Sequence, residues 1–146
     1  MNTKAYWLLK TEPDTYSFQQ LLQDQTTNWN GIRNFQARNY LKLLKRGDLV
    51  LIYHSGKERA VIGIARVIKE SYPDLDPNHP GDWVQVDLEQ VKSLKHPVTL
   101  ATIKEHPKLS KIPLLRQSRL SVMPIQSEEY ETLIELSQQF KKGDVQ

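Results

Sequence analysis

The sequence predicts an α+β domain of about five or six strands in a mixed or antiparallel sheet, curled into a small barrel and flanked by about four short helices. Three observations lead there. Leu49–Tyr53 and Ala60–Tyr72 are β-rich runs joined only by the polar turn His54-Ser55-Gly56-Lys57-Glu58, which makes a hairpin and leaves no room for a crossover helix. Trp83–Leu88 alternates strictly, with Val84, Val86 and Leu88 on one face and Gln85 and Asp87 on the other, as a half-buried strand does. Helix-opening residues recur between the strands at Ser17, Asn34, Thr99 and Ser127.

Taken in order, Ala5–Lys10 is a short apolar, aromatic-rich strand that Glu12-Pro13-Asp14 ends, because the residue before proline is pushed out of the helical region. Ser17-Phe18-Gln19-Gln20 has the form of a capping box and opens a helix through Leu21 and Leu22. Asp24–Asn28 reads as polar loop. Asn34–Leu44 reads as a second helix burying Phe35, Ala37, Leu41 and Leu44, with Lys45-Arg46 at its negative end and Gly47 as its stop. Pro73–Asp82, with three prolines and a glycine, is a loop. Thr99 caps a short helix ending before Pro107, and Leu120–Ile125 is a strand fragment. Ser127 opens the last helix, with Glu128, Glu129 and Glu131 at its positive end and Lys141, Lys142 and Gly143 at its finish. Tyr130, Leu133, Ile134 and Phe140 fall on its apolar side.

Composition excludes several classes. At 146 residues the chain is read as a single domain over 1–146, long enough to bury one core. Without cysteine there is no disulfide framework or thiolate metal site, and none of the four histidines has the i, i+4 spacing of a zinc protease, so no metal is expected. No apolar run reaches the ~18 residues that span a membrane, and the N-terminal apolar run is too short for a secretory signal, so a cytoplasmic location is expected (nuclear, in a eukaryotic host). A net charge of +3 permits a nucleic-acid partner without demanding one. The oligomeric state is not encoded in any pattern here.

The most unusual stretch is Trp29–Tyr40, which packs three asparagines, one glutamine, two arginines and three aromatics into twelve residues. Side-chain amides pair with base edges, arginine contacts phosphate or stacks on a base, and aromatic rings offer stacking faces. A plainer reading stands beside it: Asn34 as an N-cap, Arg38 as a solvated charge, Trp29 or Phe35 as core. A second feature is Tyr53-His54-Ser55 at the end of a buried-looking strand, where barrel mouths place ligand contacts. Ser55 and His54 do not make a nucleophilic pair, since adjacent strand residues point to opposite faces, and no Gly-x-Ser-x-Gly elbow exists. No clustered glycines cradle a phosphate, so no cofactor is expected. Lys10, Lys57, Arg59, Arg66, Arg116 and Arg119 are suited to following a phosphate backbone.

These residues also carry a resemblance. Tyr6–Pro13 (YWLLKTEP), Trp29–Asn39 (WNGIRNFQARN) and Gly47–Ser55 (GDLVLIYHS) resemble the EVE domain, as do Gly63-Ile64-Ala65, Tyr72-Pro73-Asp74 and Arg119-Leu120-Ser121-Val122 in the same order. The resemblance covers roughly Ala5 to Leu136. It implies a PUA-like fold, kinship with the YTH readers of methylated adenine, and binding of modified bases in DNA or RNA with no established reaction. Carried over, it implies a pocket built from Lys10, Thr11 and Glu12, from Trp29 to Asn39, and from Tyr53, His54 and Ser55. Thr11 stands where the family often has serine, Asn30 where aspartate is common and Met123 where glutamine is common, and the loop Pro73–Asp82 is short.

The expectation is therefore a non-catalytic reader. Trp29 and Tyr53 wall the base, Thr11, Asn34 and Asn39 bond its edge, and Arg33, Arg38 and Lys57 hold the backbone. The alternative is a binder of, or an enzyme acting on, a free nucleoside-like molecule in the same pocket. Salt sensitivity separates the two, because only a backbone-tracking reader loses affinity steeply as salt rises.

Overall fold

The structure is a computed structural model and describes residues 4–139. In chain order the elements are β1 (Tyr6–Thr11), α1 (Phe18–Asp24), β2 (Thr26–Trp29), α2 (Phe35–Leu41), β3 (Leu49–His54), β4 (Ala60–Pro73), β5 (Val84–Thr99), α3 (Leu100–Glu105), β6 (Val122–Ile125) and α4 (Ser127–Gln138). Two single 3-10 turns, Pro107–Leu109 and Pro113–Leu115, lie between α3 and β6. The strands form one mixed sheet in the order β2-β5-β4-β3-β1-β6. β1 runs parallel to β3, and every other pairing is antiparallel. The expected β3–β4 hairpin is present, with His54 opposite Ala60.

The sheet curls without closing, so β2 and β6 remain its two edges. The curl comes from β4 and β5, whose pairing shifts register four times between Val61 and Tyr72. Each irregularity bends the strand and increases its twist. A bulge also sets consecutive residues on one face, which breaks the period-2 pattern. That is why the alternation of Val84, Val86 and Leu88 stops being legible at Leu88 while β5 continues to Thr99.

Other boundaries move for local reasons. Asp24–Asn28 is not all loop: Thr26–Trp29 forms edge strand β2, with Thr27 opposite Leu88 and Trp29 opposite Val86. Phe35 is 65% exposed rather than buried. Helix α2 is short, its buried residues are Ala37 and Leu41, and at 3.6 residues per turn Phe35 sits roughly 200° around the axis from Ala37. Its ring stacks on Trp83 instead, centroids 5.3 Å apart. At the last helix Gln126 is the N-cap, one residue before Ser127, and its backbone N–H donates to the Glu129 carboxylate at 2.8 Å. Leu133 is fully buried there, and Tyr130 stacks on Tyr6 with centroids 4.3 Å apart. Phe140, Lys141, Lys142 and Gly143 lie outside the described residues.

Ser17, Asn34 and Thr99 cap their helices as expected, but Gln20 gives its side-chain amide to Asp24 at 2.9 Å, so the box at Ser17 is only half made. Ser17 Oγ accepts from the Gln20 N–H at 3.0 Å, Asn34 Oδ1 from Ala37 at 2.9 Å and Thr99 Oγ1 from Thr102 at 3.2 Å. No helix of the described residues is long and apolar enough to cross a membrane.

The core packs Phe18 and Leu21 of α1 against the sheet, and Phe18 rests directly on Gly63 of β4. A Cβ at residue 63 would sit 2.4 Å from two atoms of the Phe18 ring. Gly63→Ala is therefore expected to destabilise the fold by ~1–3 kcal/mol through overpacking, read as a shift in the urea midpoint at unchanged slope. Wild-type stability in that variant would mean that Phe18 has room to tilt away.

Candidate functional site

A broad cleft lies at the seam where the curled sheet fails to close. It has a volume of about 590 Å³ and is lined by Lys10, Thr11, Glu12, Thr15, Tyr16, Thr27, Asn28, Trp29, Asn30, Gly31, Ile32 and Ser121. One wall is edge strand β2 and the residues after it; the other is the end of β1 with Ser121, just before β6. This size lies within the ~300–1,000 Å³ of small-ligand sites.

Each wall is held by bonds of its own. Thr15 and Tyr16 both donate their backbone N–H to Glu12 O at 2.9 Å, and Thr11 Oγ1 donates to Tyr16 O at 2.6 Å. This tight turn brings Tyr16 against Trp29 edge-on, with centroids 6.1 Å apart and planes at 88°. Tyr16 Oη donates to Asp24 at 2.8 Å, and burial, ahead of that carboxylate, pushes its phenol above the ordinary range. Trp29 is only 7% exposed and belongs to the hydrophobic core as well as to the cleft.

Two opposite charges share the cleft. The ammonium of Lys10 donates to Ser118 O at 2.7 Å, and partial burial holds its pKa below the ordinary lysine value. The Glu12 carboxylate has no hydrogen bond or ion pair among the described residues, so it is free to accept from a ligand. Gly56, with φ +82°, lets the β3–β4 turn pass against it, where a Cβ would stand 2.7 Å from Glu12 Oε1.

Of the residues expected at the site, Lys10, Thr11, Glu12, Trp29 and Asn30 come together in this cleft. Ser55 stands behind it, its N–H donating to Thr11 O at 2.9 Å and its Oγ to the same atom at 3.3 Å. Tyr53 and His54 are placed differently: they are 3% and 5% exposed and do not line the cleft. β3 is a central strand covered on both faces, so residues of both parities are buried. His54 Nε2 accepts from the Phe18 N–H at 3.0 Å, which leaves Nδ1 to donate to Glu58 at 2.7 Å.

Four residues of the Trp29–Tyr40 stretch are engaged outside the cleft. Asn34 caps α2 and lines a separate shallow groove. Asn39 Oδ1 accepts from Arg38 at 3.0 and 3.2 Å. Arg38 lies over the Phe35 ring at 5.0 Å and donates to Asp82 O at 3.4 Å. Arg33 is paired with Asp74 at 3.0 Å, and Gly31 N–H donates to the same carboxylate oxygen at 2.9 Å. Burial, the largest influence on Asp74, pushes its carboxyl up, but these two donors and the Arg33 charge together outweigh it and leave it below the ordinary value. Arg33 and Arg38 thus fasten the loop after β4 to α2.

Thr15, Tyr16, Thr27, Asn28 and Ser121 line the cleft without having been marked by the sequence. Tyr16 lies in a turn with no periodicity to mark it. Thr27 was hidden by reading its segment as loop, although two β-branched threonines before a tryptophan are a strand signal. Ser121 reaches the cleft only through the pairing of β6 with β1. Among the described residues no group of three or more metal-ligating side chains forms.

The family model for the EVE domain matches residues 5–136. The chain is 32% identical to thymocyte nuclear protein 1 of Gallus gallus, over 94% of this chain and 70% of that protein. A crystal structure of a protein from Agrobacterium tumefaciens matches with a TM-score of 0.86 at 36% identity, covering 92% of this chain and 93% of that one. The crystal structure of human THYN1 protein in complex with 5-methylcytosine-containing DNA matches with a TM-score of 0.88 at 30% identity, covering 94% of this chain and all of that one. The cleft at the sheet seam is thus set in a PUA-like fold, and this protein belongs to the EVE-domain family.

Proposed function

We propose that this protein is a non-catalytic, single-domain reader of nucleic acid that takes up a modified base in the cleft between β1 and β2. The observation that carries this reading is the human relative's complex with 5-methylcytosine-containing DNA, in a chain of the same fold and nearly the same extent. That relative favours DNA over RNA as the polymer. In this assignment the Trp29–Tyr16 pair supplies the aromatic wall. Glu12, Thr11 and Asn30 bond the base edge, Glu12 accepting from an exocyclic amine or a ring N–H. Extruding a base costs a few kcal/mol, which stacking and edge bonds must recover.

The test is fluorescence anisotropy against short DNA and RNA oligonucleotides carrying cytosine, 5-methylcytosine and 5-hydroxymethylcytosine at fixed low salt. Tighter binding to one modified base is the expected result. Flat, weak binding across the panel would overturn the reading and move the ligand to a free nucleoside-like molecule, measured by calorimetry on the same protein.

A further inference from the structure

A second feature adjoins the cleft. A groove of about 320 Å³ runs between the start of α2 and the turn at 116–120, lined by Asn34 and Gln36 on one side and by Arg116, Gln117, Ser118 and Arg119 on the other. It is joined to the cleft twice. Lys10, a cleft residue, donates to Ser118 O at 2.7 Å, and the backbone that leaves the groove at Leu120 enters the cleft at Ser121. The turn is fixed rather than loose: Gln117 N–H donates to Pro113 O at 2.8 Å, Leu120 N–H to Gln117 O at 3.1 Å and Lys10 N–H to Ser121 O at 2.9 Å.

The charges around the cleft are not equivalent. Arg33 is neutralised by Asp74, Lys42 by Asp82 and Arg66 by Glu89. Arg38 is packed on Phe35 and Trp83. Arg116 and Arg119 are exposed and, among the described residues, have no ion pair or hydrogen bond from their guanidinium groups. Two unneutralised guanidinium groups facing neutral amides form a surface matched to a chain of phosphates: arginine bonds phosphate oxygens bidentately, and amides and hydroxyls donate to the same atoms.

We infer that this groove is the track for the phosphodiester backbone of the strand whose base enters the cleft, with Arg116 and Arg119 each engaging one phosphate. The inference rests on the base-reading assignment above. It moves the backbone contacts from Arg33 and Arg38, which the fold itself uses, to two residues that it leaves free.

The experiment compares wild type, Arg116→Gln/Arg119→Gln and a charge-matched pair away from the groove, Lys104→Gln/Lys111→Gln. Each is titrated with a 5-methylcytosine duplex and its unmodified counterpart over a series of salt concentrations, after circular dichroism shows the fold intact. Losing two phosphate contacts is expected to flatten the slope of log K against log salt by ~1.8, at ~0.9 per phosphate of duplex DNA. The ratio of modified to unmodified affinity stays at its wild-type value, and the control pair keeps the wild-type slope. A groove variant with the wild-type slope, a control pair that shifts equally, or a wild type that binds neither duplex would each overturn the track. Failure of base reading shows separately, as a wild-type ratio near one with a steep salt slope.

Discussion

Asp48→Ala is expected to lower the unfolding free energy by ~3–5 kcal/mol. Asp48 is 3% exposed and stands at the entry to β3. Its Oδ2 accepts from the Trp7 indole Nε1–H at 2.9 Å and from the Lys45 backbone N–H at 2.9 Å, and its Oδ1 from the Ala5 N–H at 3.1 Å. One carboxylate thus ties the start of β1, a core tryptophan and the turn after α2 into a single joint beside the parallel β1–β3 pairing. Alanine leaves three donors without their acceptor, and the indole N–H is buried where water does not replace it. Thermal unfolding should shift by on the order of 10 °C. An Asp48→Asn variant should recover only part of this, because its amide NH₂ would face a donor. Unfolding of the alanine variant within ~1 kcal/mol of wild type would show that water reaches the joint after all.

Trp29→Ala is expected to weaken binding of the preferred oligonucleotide by ~10–100-fold, the range of one lost base–aromatic stack. It cannot be a clean binding variant. With Trp29 7% exposed and opposite Val86 in the sheet, its removal also opens a core cavity worth ~3–5 kcal/mol. Both readings that the sequence offers for Trp29, a wall of the site and a core residue, therefore apply to the same ring. Tyr16→Leu separates the two effects: Tyr16 is half-buried, leucine keeps apolar volume, and the edge-on ring against Trp29 is lost. Affinity is expected to fall in both variants, measured by anisotropy at a temperature where circular dichroism shows each one folded. Wild-type affinity in a folded Trp29→Ala protein would exclude the cleft as the base site.

Much of the scaffold is legible in the sequence. The caps at Ser17, Asn34 and Thr99 were legible because a cap is a bond between residues two or three apart. The β3–β4 hairpin was legible because its turn is short and polar. β2 and the second half of β5 were not, since an edge strand needs no apolar alternation and bulges erase it where it exists. The residues around Trp29 stood out by composition, whereas Thr11 and Glu12 were placed at the site only by the resemblance.

What the residues of a local segment determine by themselves is their own secondary structure and their chemical inventory; the chain's amides, arginines and aromatics around Trp29 were visible on that level. Which of them face the cleft was decided by the tertiary structure alone. Asn34, Asn39, Arg33 and Arg38 found partners within α2 and the loop after β4, and Tyr53 and His54 were sealed on both faces of a central strand. Tyr16, Thr27 and Ser121 took their place because the cleft exists only where two sheet edges approach. That approach depends on the accumulated bend of β4 and β5, a property of the whole sheet that no single stretch of sequence contains.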